Sequence, residues 1–133
     1  AYKRALAIAH KQDDMELSFG VLTGMGSHAL KTGDADLAEH FYLQSQTLAR
    51  RVLSVREEAI AEGNLGRCLG QNGARCTEAL DHFRKAVALQ ERAGDSCSTQ
   101  AVEALRTDLE ALAGRLPEAE KLLVRASALA PGR

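Results

Sequence analysis

A repeat of about 40 residues constrains the fold of this chain more than any other feature. Three kinds of side chain recur together in every unit: an aromatic or leucine, a small residue three positions later, and an apolar residue three positions after that. The three columns are Tyr2, Tyr42, Phe83 and Leu123, then Ala5, Ser45, Ala86 and Ala126, then Ile8, Leu48, Leu89 and Leu129. Repetition on this length scale is typical of solenoids, in which each unit packs against its neighbours.

Each unit contains two segments of about 17 residues whose apolar positions follow the helical period, so the unit is predicted to be a helical hairpin. Met25, Leu65 and Leu105 mark the first segment of successive units, and Gly26 and Gly66 each follow one residue later. A glycine allows close helix approach where the opposing helix offers a large side chain. We therefore expect Gly26 and Gly66 to face the aromatic column. Arg106 replaces the glycine in the third unit, which predicts a degenerate hairpin there.

Composition agrees with helices and excludes several functional classes. The chain has 23 Ala and 19 Leu but only 14 Val, Ile and Thr residues, which argues against sheets. Its 17 basic and 18 acidic residues form no long run of one sign, so we expect no nucleic acid or membrane surface as a partner. No apolar stretch is long enough for a membrane span, and residues 1–4 lack the residue order typical of a signal peptide, so neither feature is expected. Three cysteines without a Cys-x-x-Cys pair predict reduced thiols and a cytoplasmic protein.

Boundary signals predict an all-α fold of about seven helices. Asp14 precedes the first apolar residue of one helix as a cap, and Pro117 suits the first turn of another. The predicted helices cover 1–12, 15–32, 35–52, 55–72, 76–93, 98–113 and 117–130. We interpret 1–133 as one array, in which 1–12 is the second helix of a truncated repeat and 15–52, 55–93 and 98–130 are three hairpins. The array is expected to be a fragment of a longer one.

The recurring residues resemble the tetratricopeptide repeat. The best copy joins Asn64-Leu65-Gly66 in a first helix to a second helix that carries the family's pattern in Gly73, Ala79, Phe83, Ala86 and Leu89. Its 40-residue unit is similar to the longer-helix variety found in Pins/LGN adaptors, in kinesin light chains and in some bacterial peptide-sensing regulators. The resemblance implies a right-handed α-α superhelix whose first helices line a concave surface.

The resemblance also implies where a partner would bind. Carried over position by position, the partner-binding residues are Thr23, Ser27 and Lys31, then Asn64, Arg67 and Gln71, then Glu103 and Thr107. An Asn can bond both the N–H and the C=O of an extended ligand backbone, and an Arg can hold a carboxylate through two parallel bonds. Asn64 and Arg67 are therefore the central members of this set.

These inferences predict a protein–protein interaction scaffold or adaptor that binds a peptide or helix of a partner, with no cofactor. One alternative is a structural spacer or self-association segment. Its motive is an apolar stripe that the terminal helices would leave exposed, formed by Leu112, Leu116, Leu122 and Leu129. A second alternative, from the resemblance, is the peptide-sensing domain of a bacterial regulator. An enzyme is not expected, because no metal-ligand spacing and no nucleophile–base pattern is present.

Overall fold

The computed structural model describes residues 3–5, 14–52, 55–71, 73–94 and 99–129, and all regular structure in these ranges is helical. The helices with assigned bounds are α1 (Met15–Lys31), α2 (Ala35–Val52), α3 (Val55–Gly70), α4 (Cys76–Ala93), α5 (Thr99–Ala113) and α6 (Ala119–Ser127). A short 3₁₀ turn, Gly73–Arg75, precedes α4. The predicted all-α repeat fold is confirmed. Residues 3–5 are helical, and the rest of the predicted helix 1–12 lies outside the described residues.

The last helix is shorter than the predicted 117–130. Before α6, the amides of Ala119 and Glu120 bond to the carbonyls of Leu116 and Pro117, each at 3.0 Å. These bonds span three residues, so Pro117 lies in a turn that leads into the helix instead of in its first turn. After α6, the amide of Leu129 bonds three residues back at 3.1 Å, which again tightens the chain into a turn.

The beginning of α1 and the connection to α2 follow ordinary capping chemistry. Asp14 caps α1 as predicted, because its Oδ1 accepts from the amide of Leu17 at 2.9 Å. Gly33 adopts a φ of +89° just after α1, a backbone conformation that costs glycine little. Asp34 then accepts from the amide of Leu37 at 3.1 Å. These contacts turn the chain back within three residues.

Helices α1 and α2 form an antiparallel hairpin. Phe19 and Ala49 share one apolar cluster, while Ala29 and Ala38 share another at the opposite end. Between them, a β-carbon built on Gly26 would lie only 2.6 Å from Cε1 of Tyr42. The expectation that this glycine faces the aromatic column is confirmed.

Helices α3 and α4 repeat this arrangement, and α5 and α6 depart from it. A β-carbon on Gly66 would lie 2.7 Å from Cε1 of Phe83. In the third hairpin Arg106 is exposed and Leu123 is only half-buried, so this close approach is replaced by leucine packing, with Leu109 buried in the joint cluster of α4, α5 and α6. The predicted degeneracy of the third unit is therefore visible in its packing.

The leucine stripe that motivated self-association is not an open surface. Leu112 and Leu122 are buried, at 3 % and 4 % exposure, in the cluster that α4, α5 and α6 share. Leu116 and Leu129 are half-buried and pack against the same cluster. The expectation of an exposed stripe was wrong, because α6 folds back on α4 and α5 and covers these side chains within the chain.

Candidate binding groove

The first helices of the hairpins, α1, α3 and α5, lie side by side and form one face, which we call the groove. Ser27 and Lys31 of α1 line a cleft together with Arg67 and Gln71 of α3. On the other side of α3, Nε of Arg67 lies 3.0 Å from Oδ2 of Asp108 on α5. Residues about 40 apart in sequence are thus neighbours across the groove, as the repeat columns predicted.

Three clefts divide the groove. The inner cleft, about 50 Å³, lies between the first halves of α3 and α5 and is bordered by small residues, among them Gly63, Ala101 and Ala104. The α3–α5 cleft, about 280 Å³, lies near the ends of those two helices. The α1–α3 cleft, about 410 Å³, lies near the ends of α1 and α3. Arg67 lines all three clefts, so it occupies the centre of the groove.

Asn64 lines the inner cleft with an unpaired donor. Its side chain is 7 % exposed, and its Nδ2 has no hydrogen-bond partner among the described residues. A buried donor without a partner costs about 1–3 kcal/mol of folding stability. A packing role alone would be filled better by an apolar side chain, so the amide is suited to an acceptor that comes from outside the chain.

On α1 the predicted residues differ in what they can offer. The Oγ1 of Thr23 is buried and has no hydrogen-bond partner within the described residues. Ser27 is already engaged, because its Oγ lies 3.0 Å from the hydroxyl of Tyr42. Burial raises the pKa of Tyr42, so this hydroxyl keeps its proton. Lys31 is exposed at the end of α1.

Arg67 is not free to act on its own, and sequence reasoning missed its partner. The carboxylate of Asp108 is only 16 % exposed and accepts from Nε of Arg67, whereas the Arg67 side chain keeps 34 % exposure. Burial raises the pKa of Asp108, and the nearby Arg67 offsets this shift only in part. The 41-residue spacing of the two residues, close to one repeat, is a signal that could have indicated this pair.

Gln71 and Arg115 lie just after the ends of α3 and α5, at one end of the groove. Gln71 is exposed and lines both larger clefts. Arg115, which sequence reasoning missed, lines the α3–α5 cleft and donates from Nη1 to the carbonyl of Gly70 at 2.9 Å. It follows α5 in a turn, so the helical columns did not include it.

The predicted residues of α5 lie apart from the clefts. Glu103 and Thr107 are exposed, and the hydroxyl of Thr107 donates to the backbone carbonyl of Glu103 at 3.0 Å. Neither residue lines any of the three clefts. Asp108, one position further on, is the residue by which α5 reaches the centre of the groove.

Comparison with known proteins identifies the repeat. A family model described as tetratricopeptide repeat matches residues 17–92, more than half of the chain. The chain belongs to the tetratricopeptide repeat family. The match covers α1 to α4 and ends before α5, the helix in which Arg106 replaces the glycine of the earlier repeats. No curated protein and no solved structure gives a significant match.

The tetratricopeptide array also contains a buried polar cluster outside the groove, between α2, α3 and α4. Glu62 is fully buried and accepts from Nε2 of Gln46, while Nδ1 of His82 lies 3.2 Å from its Oε2. Arg50 reaches Oε1 of Glu62 at 3.4 Å. Burial acts to raise the pKa of Glu62, but the hydrogen bonds from His82 and Gln46 outweigh it and lower the pKa. This cluster joins the first two hairpins.

Within the part of the chain that the structure describes, no helix combines the length and apolar character needed to cross a bilayer. Over the same residues, His, Cys, Asp and Glu side chains form no group of three or more that could hold a metal ion.

Proposed function

We propose that this tetratricopeptide array is a cytoplasmic scaffold or adaptor module that binds a segment of a partner protein in the groove of α1, α3 and α5. Tetratricopeptide repeats generally mediate protein–protein interaction. The observation that carries the proposal is the buried, unpaired amide of Asn64 beside the inner cleft. The module has no catalytic role in this proposal.

An extended segment suits the groove better than a helix. The carbonyl groups of a helix are already paired along its length, whereas an extended chain presents free N–H and C=O groups. Asn64 would donate to a ligand carbonyl, and the hydroxyl of Thr23 on the neighbouring helix can donate or accept. Gly63, Ala101 and Ala104 leave room for the ligand backbone to approach Asn64.

Arg67 supplies the central contact in this proposal. Its Nε is held by Asp108, so the guanidinium is fixed in orientation before a ligand arrives. A side chain that is already ordered loses less conformational entropy on binding. The terminal nitrogens, at the side chain's 34 % exposure, then serve as donors to the ligand at the junction of the three clefts.

The test starts from peptides selected on the wild-type protein from a random library, whose affinities are then measured by calorimetry. Asn64→Ala should weaken binding about tenfold or more, since one buried hydrogen bond to the ligand is lost. The same change should leave the free energy of unfolding equal or higher, because it removes an unpaired buried donor. Arg67→Ala should weaken binding as well.

A matched control is Gln44→Ala on α2. Gln44 is exposed, and its side chain bonds to His40 on its own helix, away from the groove helices, so its loss should not alter peptide affinity. Selected peptides whose affinity is the same for the wild type, Asn64→Ala and Arg67→Ala would contradict the assignment of the groove.

A further inference from the structure

The charge that lines the groove is distributed unevenly. Lys31, Arg67 and Arg115 line the two larger clefts, and Asp108 is the one acidic residue among the side chains that line them. Asp108 is paired with Arg67. Within the described ranges Lys31 and Arg115 take part in no salt bridge, and both are exposed. The clefts at the ends of α1, α3 and α5 therefore carry uncompensated positive charge.

The inner cleft is different in character. Its charged residues are Arg67 and Asp108, which compensate each other at 3.0 Å. The remaining lining is small, apolar or amide-bearing, with Gly63 and Asn64 among it. One end of the groove is thus basic, and the other is neutral and narrow.

Basic residues at helix C-termini can have a purely structural role, because their charge stabilises the negative end of the helix dipole. Arg115 meets this need in part, since it donates to the carbonyl of Gly70 at the end of α3. That bond uses one of the five N–H groups of its guanidinium. Among the residues that the structure describes, Lys31 makes no comparable hydrogen bond or salt bridge, so the positive surface exceeds what the helix ends require.

A second basic cleft on the molecule shows the contrast. Arg84, Lys121 and Arg125 line a cleft of about 290 Å³ between α4 and α6. There, Arg84 pairs with Asp81 at 3.0 Å, Arg125 pairs with Glu91, and Glu118 lines the same cleft as Lys121. The charges of this cleft are compensated within the chain, whereas those of the groove are not.

The two ends of the groove are separated by a definite distance. Asn64 beside the inner cleft lies on α3, and Gln71 in the larger clefts, seven residues later, directly follows the end of α3. At 1.5 Å per residue this is about 10 Å along the helix axis. An extended segment covers about 10 Å in three residues.

We propose that the groove selects a partner segment that carries a small uncharged residue at the inner cleft and acidic side chains about three residues away, against Lys31 and Arg115. This inference rests on the proposed function and specifies its ligand. The terminal nitrogens of Arg67 contact the segment between these two points. The acidic end of the segment then lies at the ends of α1, α3 and α5.

Two synthetic peptides test the charge selection: acetyl-Ala-Ala-Ala-Glu-Glu-Gly-amide, and the same peptide with both Glu replaced by Gln. Binding is followed by ¹H–¹⁵N NMR titration at about 50 mM salt, where exposed charges are weakly screened. The acidic peptide should bind about tenfold more tightly than the Gln peptide and should shift the amide signals of Lys31, Gln71 and Arg115. Salt of about 0.5 M should remove most of that difference.

Lys31→Glu and Lys121→Glu form a matched pair, because both lysines are exposed and each lines a cleft. The first should weaken the acidic peptide about tenfold and leave the Gln peptide unchanged, whereas the second should change neither. A purely structural role of Lys31 would instead appear as a change in unfolding free energy with equal loss of both peptides.

The remaining outcomes separate this inference from the proposed function. Equal binding of the acidic and Gln peptides would overturn the charge selection and leave the groove as a binding site. Binding of neither peptide would count against both proposals. Binding of an oligothymidylate with the same dependence on Lys31 would show a surface that recognises phosphate, and would overturn the assignment of an acidic protein segment.

Discussion

The backbone of Gly66 on α3 lies against the ring of Phe83 on α4, so that a β-carbon would stand 2.7 Å from Cε1 of the ring. No β-carbon is accommodated at such a distance without movement of the ring or the helices. One repeat earlier, Gly26 and Tyr42 stand in the same relationship. The glycine and aromatic columns are thus a single packing device, which sets how closely the two helices of a hairpin approach.

Gly66→Ala should therefore destabilise the protein although alanine favours helices. Overpacking against Phe83 costs about 1–3 kcal/mol, and the gain in helix propensity returns about 1 kcal/mol. We expect a net loss of up to about 2 kcal/mol, measured by urea unfolding. The control is Gly63→Ala in the same helix, where a β-carbon meets nothing within 4 Å. That variant should be stabilised by about 0.5–1 kcal/mol. Stabilisation by both substitutions would contradict the packing argument.

The hairpins could be predicted from sequence because their determinants are local or periodic. α2 and α4 begin and end as the periodicity indicated, at Ala35–Val52 and Cys76–Ala93. The third unit was predicted less well, since its boundaries depend on how α6 packs. The turn at Pro117 uses backbone hydrogen bonds that span three residues, and no residue pattern in this segment predicts them.

The polar contacts of the site could be predicted only in part. The columns selected Asn64 and Arg67, since one position of a repeat faces the groove in every unit. They did not select Asp108, because the neighbouring column member, Thr107, stands where the ideal repeat spacing leads. They also missed Glu62, a charged residue that the sequence would place in solvent. Its burial becomes favourable only with Gln46 and His82, which come from two other helices.

Cys68 should react slowly with thiol reagents. Burial raises the pKa of its thiol to about 11 from an ordinary value of 9.0, and its Sγ donates to the carbonyl of Ala35 at 3.3 Å. The thiolate fraction at neutral pH is then about a hundredfold lower than for an unperturbed thiol. In a Cys76→Ala, Cys97→Ala background, we expect alkylation by iodoacetamide to become fast only at urea concentrations that unfold the protein. Fast alkylation of the folded protein would show that the thiol is accessible.

Glu62 should make the protein sensitive to acid. Its folded-state pKa lies below the ordinary value of 4.5, so the unfolded chain takes up the proton first as the pH falls. The stability that Glu62 supplies is complete well above pH 4.5 and is lost as the pH falls through the folded-state pKa. Glu62→Gln should cost about 1.5–3 kcal/mol at pH 7, because it weakens charge-assisted hydrogen bonds.

The measurement is the free energy of unfolding in urea at several pH values. The difference between the wild type and Glu62→Gln should shrink as the pH falls through the range below about 4.5, in line with linkage. Glu120→Gln, on the exposed surface of α6, is the control and should give a small difference at every pH. A difference between the wild type and Glu62→Gln that does not change with pH would argue against a lowered pKa.

Asp108 should change the pH dependence of the unfolding free energy in the opposite direction to Glu62, although it also accepts a hydrogen bond from a basic side chain. Burial raises its folded-state pKa above 3.8, against the opposing effect of Arg67, so the folded protein takes up this proton before the unfolded chain does. The contribution of Asp108 to stability is therefore largest at acid pH and falls as the pH rises through its folded-state pKa.

The measurement compares unfolding free energies at several pH values. As the pH falls, the wild type should become more stable relative to Asp108→Asn and less stable relative to Glu62→Gln. Asp81→Asn, at an exposed pair with Arg84, should show neither trend. The same sign for both buried carboxylates would mean that the pair with Arg67 outweighs the burial of Asp108, and that the centre of the groove is more strongly charged than its geometry implies.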